Sequence, residues 1–100
     1  MPLLACDLGA LDPAQRARYS ALRAELGTLR IDARELADGY AFSYPAESDV
    51  ILKLAEFVTL ERRCCPFFDF ALEIGADAGH VRLRVGGGPD VKAFLRGQLA

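Results

Sequence analysis

The stretch Glu47–Ile74, ESDVILKLAEFVTLERRCCPFFDFALEI, changes its hydrophobic period part-way along, and that change decides the fold. Through Val50, Ile51, Leu54, Phe57 and Val58 the apolar residues recur at spacings that put them on one helix face. Through Phe68, Phe70, Leu72 and Ile74 they recur at every second residue, as on one face of a strand. The stretch therefore reads as a helix from Glu47 to about Arg63, a corner at Cys64-Cys65-Pro66, and a strand. Proline disfavours helical geometry in the residue before it, so the helix is expected to end at Cys64 or Cys65.

Downstream, Gly75 to Gly79 reads as a loop, and Val81, Leu83 and Val85 alternate with His80, Arg82 and Arg84, the pattern of a partner strand with one wet face. Gly86-Gly87-Gly88 breaks that strand. Pro89 then opens a last helix with Val91, Phe94, Leu95 and Leu99 as its apolar stripe. The glycines and the helix start that follows could receive an anion, but they lack the Lys and Ser/Thr of a phosphate-binding loop and read as a plain connection.

Upstream, Tyr40, Phe42 and Tyr44 alternate with small residues, and Asp38-Gly39 is a hairpin turn signal that joins them to a strand from Leu29 to Leu36. These three rings could line a ligand pocket, but aromatic residues at period two on a hairpin are more often sheet core, and core is the expectation. Asp12-Pro13-Ala14-Gln15 combines an N-cap, a first-turn proline and an approximate capping box, so a helix is expected from Pro13 to about Leu26, closed by Gly27. Its buried stripe is Tyr19, Leu22 and Leu26. Leu3 to Leu8, with Cys6 and Asp7 inside it, reads as a first strand or extended arm. The sum is an α+β fold in one domain, residues 1–100: two antiparallel hairpins forming one sheet, with three helices packed on it.

Composition narrows the function. A chain of 100 residues, 52% apolar and 26% charged, is that of a globular domain. A formal charge of -2 from 12 basic and 14 acidic residues offers no basic stripe, so nucleic acid is not an expected partner. No apolar run approaches the roughly 18 residues of a membrane span, and the start Met-Pro-Leu-Leu-Ala-Cys-Asp lacks the pattern of a signal peptide. The expectation is a cytoplasmic protein without a membrane partner, and a homodimer is the expected assembly for a short chain this apolar. Three cysteines cannot all pair within one chain, and a reducing compartment would leave them free, metal-bound or transiently oxidised.

The chemistry centres on Glu61-Arg62-Arg63-Cys64-Cys65-Pro66-Phe67. On a helix wheel centred on Leu54, Glu61 falls about 20° from the middle of the apolar face, Cys65 about 20° to the other side and Cys64 about 80° away, whereas Arg63 points to solvent. A carboxylate at that position needs a partner, and burial raises its pKa. The helix C-terminus raises a thiol pKa and the neighbouring arginines lower it. Glu61 could instead pair with Arg82, Arg84 or a basic residue near Arg62, and the cysteines could be simple packing, since cysteine is often buried.

The same seven residues resemble a group of small bacterial proteins that share an E-R-x-C-C-P-F signature. The resemblance extends to the early Cys6 and to Gly88-Pro89 before the last helix. It implies an association with heavy-metal genes and no particular activity.

Three readings stand on these residues. In the first, Cys64 and Cys65, with Cys6 and Glu61 as third and fourth groups, bind a thiophilic ion such as Zn(II), Cu(I) or Hg(II), or another small thiol-reactive ligand. His80, on the wet side of its strand, is a poor further ligand. In the second, Cys64 or Cys65 is a nucleophile and Glu61 or Asp7 a proton donor, for carbon–metal bond cleavage or disulfide exchange. In the third the domain binds a partner or oligomerises, and its cysteines are structural.

Overall fold

The computed structural model describes residues 6–76 and 79–99, with the side chains of 98 and 99 outside that description. Three helices, α1 (Pro13–Leu29), α2 (Ser48–Cys64) and α3 (Pro89–Leu99), accompany four strands, β1 (Asp32–Glu35), β2 (Gly39–Pro45), β3 (Asp69–Ile74) and β4 (His80–Gly86). The strands form one antiparallel sheet in the order β1-β2-β4-β3. The two hairpins expected from the sequence thus join through β2 and β4, with Phe42 opposite Leu83, and Leu83 in turn opposite Leu72. Because β4 is antiparallel to both neighbours, β2 and β3 run parallel, and α2 makes the connection between them across β4.

Helix α1 starts where its capping chemistry directs. The Asp12 side chain accepts from the Gln15 backbone N–H at 2.8 Å, and the Gln15 side chain accepts from the Asp12 N–H at 3.0 Å. Its end differs from expectation: α1 continues through Gly27 to Leu29, and no described glycine has a positive φ. Consequently the next strand starts at Asp32 rather than Leu29, and all four residues of β1 are exposed, as befits a short edge.

Tyr40, Phe42 and Tyr44 of β2 and Val81, Leu83 and Val85 of β4 make the sheet's share of the main core, against Leu26, Val50, Leu54, Val91 and Leu95 from the helices. Full burial of each large aliphatic contributes about 1.5–3 kcal/mol, so this cluster dominates stability. The aromatic hairpin is core, as read from the sequence. Edge strand β3 is only half covered: Phe70 and Leu72 pack on the core, whereas Ile74, expected on the same buried face, is 56% exposed. The side chain of Leu99 lies outside the described residues.

The turn between β1 and β2 requires glycine at Gly39. A Cβ there would run into the Val85 carbonyl oxygen of β4, and the Leu36 N–H closes the turn on the Gly39 carbonyl at 2.8 Å. At the other end of the chain, the strand expected over Leu3–Leu8 lies outside the described residues up to residue 5. Its remainder is not a strand, because Leu8–Ala10 form a 3-10 turn capped by Asp7, whose side chain accepts from the Gly9 N–H at 2.9 Å. Among the described residues no helix is long and apolar enough to cross a membrane.

Candidate thiol and carboxylate centre

Helix α2 positions the centre by stopping at Cys64, with Cys65 as its C-cap. The Cys65 N–H still reaches the Glu61 carbonyl at 2.7 Å, while Pro66 ends the helix and Phe68 N–H turns back to the Cys65 carbonyl at 3.2 Å. The last helix carbonyls need partners from elsewhere. The N-terminal arm supplies one, the Asp7 N–H donating to the Cys64 carbonyl at 2.7 Å. Arg63, which the wheel directs to solvent, is exposed but also donates to the Ala10 carbonyl at 3.2 Å and so helps hold the arm. These backbone contacts bring Cys6 against the end of α2.

Cys6 and Cys65 are joined as a disulfide across 59 residues, with a Cα–Cα distance of 4.7 Å. Of the fates expected for the cysteines, free, metal-bound or transiently oxidised, the structure shows one oxidised pair, with Cys64 the thiol left over. Cys64 and Cys65 are both fully buried, in a small second core with Leu11, Tyr19, Leu22 and Leu60, whereas Cys6 is half-buried at its margin. The Cys64 thiol turns back along α2, donating to the carbonyls of Glu61 at 3.5 Å and Leu60 at 3.7 Å. That is the behaviour of a core cysteine, and it lies 4.0 Å from the Cys65 sulfur.

Glu61 faces this core, as the helix wheel requires. Its Oε1 accepts the Tyr19 hydroxyl at 3.0 Å, lies 3.0 Å from Cys65 Sγ and 3.7 Å from Cys64 Sγ. Burial pushes the Glu61 carboxyl above its ordinary range, opposed by the Tyr19 hydrogen bond and the nearby Arg23 charge. Burial likewise raises the Tyr19 phenol, with Glu61 adding to the effect, and raises the Cys64 thiol, again with Glu61 reinforcing it. Each group in the centre is therefore held toward its neutral form. A disulfide sulfur carries no proton, so in the oxidised state the neutral carboxyl is the natural donor toward Cys65.

Three potential ligand atoms, Cys6 Sγ, Cys65 Sγ and a Glu61 carboxylate oxygen, lie within 4.8 Å of one another. Of the four residues singled out in the sequence, the structure brings Cys6, Cys65 and Glu61 into one group and leaves Cys64 beside it with its thiol engaged in the helix. Asp7 caps the 3-10 turn instead of reaching the sulfurs, and His80 is exposed on the sheet. Glu61 makes no ion pair among the described residues, and Arg84 pairs with Glu73 instead. Tyr19 was not singled out for a role in the centre; the signal was that a buried tyrosine needs a partner for its hydroxyl.

A cavity of about 560 Å³ runs between the helices and the sheet, and Cys6, Tyr19 and Glu61 form part of its wall. The rest is largely apolar, with six aromatic residues, Phe42, Tyr44, Phe57, Phe68, Phe70 and Phe94, beside aliphatic ones. Cys64 and Cys65 are not among its lining residues, so Cys6 is the cysteine that a small molecule in the cavity meets.

Fold and site together define a small α+β protein built around a disulfide and a half-buried carboxylate. Comparison with protein-family models, with curated proteins and with solved structures found no match.

Proposed function

We propose that the protein is a redox-gated binder of a thiophilic metal ion. In its dithiol state Cys6 and Cys65 supply two thiolates and Glu61 a carboxylate; in the disulfide state the two sulfurs are bonded to each other and binding is switched off. The observation that carries this reading is the clustering of the three ligand atoms within 4.8 Å. Sulfur donors suit Zn(II), Cu(I) and Hg(II), and two thiolates with one carboxylate leave room for a further ligand. Switching is a two-electron step: a low-molecular-weight disulfide takes both electrons and leaves as two thiols, whose protons come from Cys6 and Cys65 or, when these release metal instead, from water, as the two cysteines form the S–S bond. A cytoplasmic location fits this scheme, because glutathione there favours the dithiol, metal-competent state.

Cys64 has no part in ligation in this proposal. Metal analysis and calorimetry on the reduced and oxidised protein test it directly. The reduced protein should take up one equivalent of Zn(II), Cu(I) or Hg(II), the oxidised protein none, and Cys64→Ala should retain binding that Cys6→Ser and Cys65→Ser abolish. Metal uptake that survives Cys6→Ser, or fails in the reduced wild type, would overturn it.

The 3.0 Å approach of Glu61 Oε1 to Cys65 Sγ favours a second reading, thiol–disulfide exchange. An incoming thiolate attacks Cys6, the S–S bond breaks, and Cys65 leaves as a thiolate that takes the carboxyl proton of Glu61; the product is a mixed disulfide on Cys6. Trapping with a small thiol followed by peptide mass analysis should find the adduct on Cys6. An adduct on Cys65 instead would remove this reading.

A further inference from the structure

The cavity has a polar rim of which the thiol centre uses only the charge of Arg23 near Glu61. Arg23 and Arg30 both line it and both are exposed, Arg23 from within α1 and Arg30 as the residue that caps the end of α1. Neither makes an ion pair among the described residues, as Arg16, Arg34, Arg62, Arg63 and Arg82 also do not, but of these seven only Arg23 and Arg30 line this cavity. The Arg30 guanidinium stands 5.5 Å over the Phe42 ring, which keeps it at the mouth rather than swung away into solvent. The acidic lining residue among those described, Glu61, is bonded to Tyr19 on the inner wall.

Gly27 lies between the two arginines on the same rim. Glycine weakens a helix relative to alanine, and nothing in the backbone demands it here, since α1 is helical through Gly27 and no described glycine has a positive φ. A Cβ at Gly27 would meet no atom within 4 Å. Neither conformation nor crowding therefore accounts for the glycine. Gly27 adds no side chain to the lining of the cavity at this point.

We infer that this cavity is a binding site for a small organic anion with an aromatic or similarly flat apolar body, its charge held at the rim by Arg23 and Arg30 and its body enclosed by the rings inside. The volume of about 560 Å³ lies within the roughly 300–1,000 Å³ of small-molecule sites. Planar guanidinium groups match a carboxylate, and aromatic walls suit a flat apolar body. The inference is independent of metal binding and applies to the oxidised protein, in which the two thiol ligands are bonded to each other.

The test is calorimetric titration of the oxidised, full-length protein with naphthoate and, in parallel, with the neutral analogue naphthylmethanol. Both should bind saturably at one site. Gly27→Leu, which projects a side chain into open space at the mouth, should weaken both by about tenfold or more without lowering the melting temperature. The double variant Arg23→Gln, Arg30→Gln should weaken naphthoate about tenfold and leave naphthylmethanol within about twofold. Absence of saturable binding, wild-type affinity in Gly27→Leu, or an equal loss of both probes in the arginine variant would each overturn the inference.

Discussion

The Glu61 carboxyl oxygen lies 3.0 Å from the Cys65 sulfur and simultaneously accepts the Tyr19 hydroxyl at 3.0 Å. One acidic oxygen thus joins helix α1 to the end of α2 and to the sulfur that ties down the N-terminal arm. The centre is compact because every group in it is shared, and a change at any one should be felt by the others.

The disulfide should matter for stability independently of any chemistry. Closing a loop across 59 residues restricts the unfolded chain, an effect of about 4 kcal/mol in the chain-entropy picture. Reduction, or Cys6→Ser, should lower the urea midpoint accordingly, with the arm Cys6–Ala10 gaining hydrogen exchange first. Equal midpoints with and without reductant would contradict this.

Cys64 should behave as a packing residue. Its thiol is fully buried and held neutral, so native protein should alkylate slowly at Cys64 near neutral pH and react quickly only when unfolded. Cys64→Ala should cost about 1–2 kcal/mol through the small void it leaves. Rapid alkylation of Cys64 in the folded, oxidised protein would show instead that the small core opens.

Glu61 should impose a pH dependence of definite sign on the oxidised protein. Its carboxyl is neutral to higher pH in the folded state than in the unfolded state, so between the ordinary glutamate range and the raised folded value the native state binds more protons. Stability from this group is therefore fully present at acid pH and is lost as pH rises through the folded value. Glu61→Gln keeps an acceptor for Tyr19 but cannot ionise, and its melting temperature should fall less over that window. A variant profile parallel to the wild type would rule the effect out.

Tyr19→Phe removes the hydroxyl that opposes the upward shift of Glu61 and leaves the carboxyl short of a partner. A stability loss of about 1–3 kcal/mol follows from the unmet hydrogen bond, while the stacking on Phe57, with ring centroids 5.6 Å apart, is preserved. An NMR titration should find Glu61 deprotonating at still higher pH in the variant.

Gly27→Ala should stabilise α1 by about 0.5–1 kcal/mol, because the residue is helical and its Cβ has open space. Thermal melts of the two proteins check this. A lower melting temperature in the variant would mean that Gly27 has a backbone role not visible in the helix geometry.

Much of this architecture is local in origin, and local features are what a sequence displays. The capping box at Asp12 and Gln15 starts α1 with both of its hydrogen bonds in place. The change of period between Val58 and Phe68 separates α2 from β3, and Pro66 enforces the stop between them. Glu61 was legible for the same reason, since a charge on an apolar helix face stands out from its neighbours. Gly27 misled because glycine ends many helices through a left-handed conformation, whereas this one stays helical at the rim of a cavity that no local pattern records.

By itself the sequence determined the α+β class, the two hairpins and the facing of Glu61 toward the core, because each follows from periodicities spanning a few turns or a single strand. Only the tertiary structure decided that Cys6 pairs with Cys65 and leaves Cys64 aside, that Tyr19 is the partner of Glu61, and that Arg23 and Arg30 flank an aromatic cavity. The first two contacts join residues 59 and 42 positions apart, and the cavity draws its wall from all three helices and the sheet. They depend on where the arm docks on the unsatisfied end of α2 and on how α1 lies against it, which is a matter of packing rather than pattern.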